Sequence, residues 1–301
     1  MNPFPATSDR SSEVATSAGR IRYNERGCGE PLVFLHALFT SSTMWGPVID
    51  VMSAEYRCIA LELPLGSHEI AMARDADLSP PGLARIVDEA CDALGLGAVT
   101  LVGGDTGGAI AQLVAVNHAD RVKRLVLAPC DAFDNFAPPT VFRLLRLMAR
   151  LPGGMRATGE VMRVRPLWRL PITLGWLTKR PLRADIVRAW WRPVRRSAGV
   201  RRDVRKVIRG IDSKYTIDAA ERLKGFAKPA LVVWTPEDRL FPLRHGEQLA
   251  SLLPAGQLEI IDDSYSLLSL DQPVELARLI TQFVHQTAEP DREEIHRERS
   301  R

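Results

Sequence analysis

The chain has 301 residues, 46% hydrophobic and 25% charged, with a formal net charge of +4. This is the composition of a soluble globule with a sizeable core, and no apolar run approaches the roughly 20 residues needed to cross a bilayer. The four cysteines are far apart and read as buried thiols, and the six histidines lack metal-ligand spacing, so neither a metal nor a cofactor is expected.

Residues 1–18 read as a flexible leader whose polar start, MNPFPATSDRSS, lacks a signal core; a cytoplasmic protein is expected. Arg20 to Arg26 alternates like an edge strand, and after the Gly27-Cys28-Gly29 break the run Pro31 to Leu35 reads as a buried strand. Ser41 to Val51 is predicted helical, Arg57 to Leu63 is a second β-type run, and Pro64 to Asp77 is an irregular loop. Ser79-Pro80-Pro81 opens a helix striped by Leu83, Ile86, Val87 and Leu94 and closed by Gly95 to Gly97. Ala98 to Val102 is the next strand, and Gly103-Gly104-Asp105-Thr106-Gly107-Gly108 turns it into a helix that runs to about His118. With a further strand at Val122 to Ala128 the order is βαβαβαβ, which demands a mostly parallel sheet with helices on both faces.

From Phe136 to about Phe226 the alternation stops. Helix-like segments rich in arginine and leucine follow, broken near Pro152, Pro171 and Pro193, so residues 136–226 are predicted to form a helical cap inserted between core segments 19–135 and 227–287. The cap holds 22 Lys+Arg against 6 Asp+Glu, leaving 18 against 30 elsewhere, so the positive excess belongs to the insertion. The β rhythm resumes at Pro229 to Trp234, then a helix from Leu243 to Leu253, a strand from Gln257 to Ile261 and a closing helix from Pro273 to His285. Residues 288–301 are charged and predicted disordered.

Gly103-x-Asp105-x-Gly107 between an apolar strand and a helix has the form of a nucleophile elbow with aspartate in place of serine. Flanking glycines relieve crowding at so sharp a bend, and the carboxylate then projects at the head of a helix, where backbone N–H groups favour negative charge.

With these motifs the chain resembles the α/β-hydrolase superfamily, specifically its aspartate-nucleophile branch of haloalkane dehalogenases, epoxide hydrolases and fluoroacetate dehalogenases. The resemblance spans about residues 20–136 and 226–287. It rests on Leu35-His36-Ala37-Leu38 with Ser42 and Trp45, on Leu63-Pro64-x-Gly66-Ser67, on the Asp105 elbow, on Trp234-Thr235-Pro236-Glu237-Asp238, and on Ile261-Asp262-Asp263-Ser264 with Leu270-Asp271-Gln272-Pro273. It implies an α/β-hydrolase fold, a mostly parallel eight-stranded sheet with helices on both faces and an inserted helical cap. It further implies Asp105 as nucleophile, Asp238 as acid with Asp131 as the weaker alternative, and the backbone N–H groups of Leu38 and Thr106 as oxyanion donors. Ala37 stands where the family's oxyanion loop usually has glycine.

One position departs. The family frame D-S-x-H falls on Asp263-Ser264-Tyr265-Ser266, which puts Ser266 where the catalytic histidine belongs, and a hydroxyl is too weak a base to activate water near neutral pH. His68, in the loop after the strand ending at Leu63, is the strongest surrogate; His36 in the oxyanion loop reads as structural, and His118, His245 and His285 as surface or capping residues. Thr106 replaces the halide-binding tryptophan of dehalogenases, and the insertion carries only Tyr215 where epoxide hydrolases use two tyrosines.

Three function classes follow. The first is a hydrolase of a small organic substrate (ester, epoxide or carbon–halogen bond) using Asp105 and a non-standard base. The second is a catalytically silent relative that binds a ligand or partner, and the third a lyase or isomerase with Asp105 as general base. Trp168, Trp176, Trp190 and Trp191 among the arginines read mainly as cap core, and the basic cap suits an anionic substrate or surface. No nucleic-acid recognition motif is present, and a homodimer is compatible with the sequence.

Overall fold

The computed structural model describes residues 12–136, 139–170 and 173–288. Residues 1–11 of the expected leader and 289–301 of the expected tail lie outside this range.

Eight strands form one sheet in the order β1-β2-β4-β3-β5-β6-β7-β8. They are β1 Ser12–Thr16, β2 Gly19–Arg26, β3 Pro31–Leu35, β4 Arg57–Leu61, β5 Val99–Asp105, β6 Val122–Cys130, β7 Ala230–Trp234 and β8 Gly256–Ile260. β1 and β2 are antiparallel to their neighbours and every pairing from β4 to β8 is parallel. The central strands are built on apolar runs, Leu32–Leu35, Leu125–Ala128 and Ala230–Trp234 among them, as burial beneath helices on both faces requires.

The core helices are α1 Gly46–Met52, α2 Pro80–Ala93, α3 Thr106–Asn117, α9 Leu243–Leu252, the short α10 Leu268–Asp271 and α11 Pro273–Gln286. Between β6 and β7 lie α4 Pro139–Arg150, α5 Gly154–Val161, a 3-10 turn Arg165–Arg169, α6 Ala184–Arg196, α7 Ala198–Gly210 and α8 Lys214–Leu223.

The expected boundaries need two corrections. Part of the leader is strand: β1 pairs with β2 so that Val14 and Ile21 are opposite one another, both buried. Burial of that face holds Ser12–Thr16 in the sheet. At the other boundary α8 packs against α3, and the Thr216 hydroxyl donates to the Phe133 carbonyl at 2.6 Å. This last helix of the predicted cap therefore packs on core helix α3.

The cap is fastened at several points beside the C-terminal edge of the sheet, where α/β folds bind ligands. Trp190 of α6 donates its indole N–H to Thr43 Oγ1 at 2.8 Å. Trp191 stacks on Phe39 with centroids 4.4 Å apart and planes 15° from parallel. Asp203 of α7 accepts the Met72 N–H at 2.8 Å, and Asp271 accepts the Lys179 N–H, also at 2.8 Å. No helix among the described residues is long and apolar enough to cross a membrane.

Candidate active site

Asp105 ends β5 and caps α3 with φ 54° and ψ −132°, a left-handed conformation that a non-glycine residue occupies only when its surroundings impose it. The glycines make the bend possible. A Cβ on Gly107 would lie 2.3 Å from the Leu35 carbonyl oxygen, and one on Gly103 would lie 2.5 Å from the Gly107 carbonyl oxygen. The Asp105 Oδ1 accepts the Thr106 N–H at 2.6 Å and the Thr106 hydroxyl at 3.0 Å, and the Leu38 N–H also supports the carboxylate. Burial raises the Asp105 pKa above the ordinary carboxylate value, and these donors partly offset it. The Thr106 N–H thus donates to Asp105, and the Leu38 N–H acts on the same carboxylate.

Asp238 lies in the turn after β7. Its Oδ1 accepts the N–H groups of Leu240 (2.7 Å) and Phe241 (2.8 Å) and the Ser266 hydroxyl (2.9 Å), while Oδ2 is buried without a hydrogen-bond partner. Burial, with the Asp105 charge adding to it, pushes the Asp238 pKa up to about 7. Ser266 is 2% exposed and touches the acid directly, the contact that the resemblance assigns to a histidine.

Asp131 stands on the other side of the elbow. Its backbone N–H reaches the Asp105 carbonyl at 3.4 Å, its Oδ2 accepts the Thr106 hydroxyl at 3.4 Å, and its carbonyl accepts from Gln112 at 2.9 Å. Burial and the charges of Asp131, Asp105 and Asp238 hold the Cys130 thiol protonated, which removes it as a nucleophile.

His68 does not fill the vacancy. It is 3% exposed, its Nδ1 accepts the Gly66 N–H at 3.2 Å, and its Nε2 faces Asp203 Oδ2 at 3.4 Å. The one lone pair of the neutral ring is therefore engaged by a backbone donor, leaving none to take a proton from water. The histidine fastens the cap instead of serving as the surrogate base. His36 is committed in the same way: Nδ1–H donates to the Ala37 carbonyl at 2.9 Å and Nε2 accepts the Leu63 N–H at 3.0 Å. Burial lowers the His36 pKa to about 4.

Two features were not singled out from sequence. One is Asp203, the partner of His68; its signal is that it is the sole acid among the arginines of 186–211. The other is a cavity of about 760 Å³ between cap and core, lined among others by Arg165, Trp168, Arg169, Lys179, Arg239 and Tyr265. Arg239 and Tyr265 are the chain neighbours of Asp238 and Ser266, and the Arg239 guanidinium lies 4.4 Å over the Tyr265 ring. Lys179 is paired with Glu237 and Asp263, whereas Arg165, Arg169 and Arg239 have no carboxylate within 4 Å among the described residues. No group of three or more His, Cys, Asp or Glu among the described residues is placed to hold a metal ion.

Residues 30–273 match the family described as alpha/beta hydrolase fold. Haloalkane dehalogenase 2 of Mycobacterium tuberculosis is 26% identical over 283 residues, covering 88% of this chain and 91% of that protein. Carboxylesterase YbfK of Bacillus subtilis is 25% identical over 262 residues, covering 84% and 79%. Among solved structures, an alpha/beta hydrolase fold protein from Burkholderia ambifaria superposes with a TM-score of 0.76 at 20% identity, covering 93% of this chain and 100% of that one. With a matched family spanning most of the chain and an eight-stranded sheet bent sharply at Asp105, the protein belongs to the alpha/beta hydrolase fold family and is a hydrolase.

Proposed function

We propose that the protein hydrolyses a small, anionic organic substrate through a covalent ester on Asp105, with Asp238 activating the water in place of the absent histidine. The observation that carries this reading is the pair of carboxylates at the site. Asp105 is held at a strained bend by backbone donors, and Asp238 keeps one buried oxygen without a partner beside Ser266. In the first step an Asp105 oxygen bonds to an alkyl carbon of the substrate as that carbon's bond to halide, or to the carboxylate oxygen of an ester, breaks and the leaving group departs with its electron pair. Water then adds to the Asp105 acyl carbon and gives its proton to Asp238. The Thr106 and Leu38 N–H groups hold the resulting oxyanion, which collapses to expel the product oxygen, and that oxygen takes the proton back from Asp238 and leaves as the alcohol. A carboxylate whose pKa lies near 7 is poised for this proton transfer. The relatives, one a haloalkane dehalogenase and one a carboxylesterase, support a carbon–halogen or ester bond as the target. The arginines of the cap–core cavity support a negatively charged substrate.

The test is turnover of haloacids, epoxides and esters in ¹⁸O-water, followed by peptide mass analysis. Label is expected in the Asp105 carboxylate, with a persistent adduct in Asp238→Asn and no adduct in Asp105→Asn. Full activity in Asp105→Asn overturns the reading. The raised Asp105 pKa favours a second reading, a lyase or isomerase using Asp105 as general base. In that case turnover proceeds and Asp105 acquires no label.

A further inference from the structure

The outer surface of the cap carries a pattern that the catalytic reading leaves unused. α4 has two apolar faces. Phe142, Leu145 and Ala149 turn toward the hydrophobic core, while Leu144, Leu147 and Leu151 are 44%, 50% and 43% exposed. At about 100° per residue these three leucines fall within roughly 60° of one another, and Arg143, Arg146 and Arg150 occupy the adjoining roughly 60°. The outward face is thus an apolar stripe with a cationic flank. Arg146 is turned back to the cap, donating to the Ile211 carbonyl at 2.6 Å, but Arg143 and Arg150 have no carboxylate within 4 Å among the described residues. Val161, Val164 and Leu170 in the following segment are also 42% to 48% exposed. Residues 144–170 hold six of the eleven large hydrophobic side chains exposed among the described residues. Residues 139–170 hold one acidic side chain, Glu160, which pairs with Arg163; of the seven arginines there, Arg165 and Arg169 line the cap–core cavity and Arg143 and Arg150 flank the leucines.

We infer that this face of the cap docks on the surface of an anionic lipid bilayer, with α4 lying in the interface plane. An apolar stripe beside arginines is the arrangement that inserts leucines among acyl chains while guanidinium groups meet phosphate and carboxylate headgroups. At 12 residues, α4 spans about 18 Å, so it lies along the surface and does not cross. The near absence of acidic side chains gives the charge complementarity that selects anionic lipid. This contact is independent of the chemistry at Asp105.

The experiment is co-sedimentation of the full chain with vesicles of equimolar phosphatidylserine and phosphatidylcholine, and with phosphatidylcholine alone. Binding is expected only to the anionic vesicles, weakening as salt is raised. Two variants alter solvent-facing side chains: Leu144→Ser/Leu147→Ser/Leu151→Ser and Arg143→Glu/Arg150→Glu. Each is expected to reduce bound protein at least tenfold while keeping the wild-type circular dichroism and melting curve. Failure of the wild type to bind anionic vesicles overturns the inference, as does undiminished binding by both folded variants. It is equally overturned if ultracentrifugation shows the leucine face joining two copies of the chain without vesicle binding.

Discussion

The two ends of the site differ in how tightly their surroundings dictate them. At the elbow, glycines, backbone donors and a left-handed aspartate interlock so closely that a single added methyl collides with the chain. At the turn after β8, a two-atom serine side chain meets the acid through one hydrogen bond. The bend that presents the Asp105 carboxylate is held by backbone packing, whereas Ser266, though buried, meets Asp238 through a single side-chain hydrogen bond.

The contrast breaks most directly at Gly107. Gly107→Ala is expected to cost at least ~3 kcal/mol in denaturant unfolding, because the new Cβ would meet the Leu35 carbonyl at 2.3 Å. A cost below ~1 kcal/mol would show that the bend is not imposed by packing.

An intermediate effect is expected from Asp238. Its pKa rises from 3.8 to about 7 in the folded protein, so the folded state binds the proton more tightly than the unfolded chain does. Stability should be highest below about pH 4 as far as this group is concerned and fall as pH rises toward 7, by a few kcal/mol at most. Glu62, also pushed up to about 7 by burial, acts in the same direction. Asp238→Asn should accordingly flatten only part of the slope in urea melts taken from pH 4 to 8. An unchanged slope would mean that Asp238 is ionised throughout.

The smallest effect belongs to Ser266. Ser266→Ala removes one hydroxyl from the Asp238 carboxylate and should cost about 1 kcal/mol. Because that hydroxyl favours the charged form, its loss should also move the acid limb of the pH–rate profile upward. A stability loss as large as that of Gly107→Ala would erase the difference between the two ends.

The core was legible because its signals are local. Apolar runs such as Pro31–Leu35 and Ala230–Trp234 can only be buried strands, and the spacing of Gly103, Asp105 and Gly107 announces the bend. What sequence spacing did not reveal depends on contacts between distant segments. His68 is 135 residues from Asp203, so its capture by the cap leaves no trace in either local pattern. β1 was hidden for a related reason, since a polar five-residue strand earns its place only through pairing with β2. α8 carries an amphipathic pattern that fits cap or core equally, and only its packing on α3 decides between them.

The stacked rings of Phe39 and Trp191 have one further consequence. Phe39 follows Leu38 directly, has φ 58°, and donates its N–H to the Leu65 carbonyl at 2.8 Å. The segment beside the Asp105 carboxylate is thereby tied to a side chain of α6. Displacing Trp191 would therefore strip the Phe39 ring of its stacking partner one residue from Leu38.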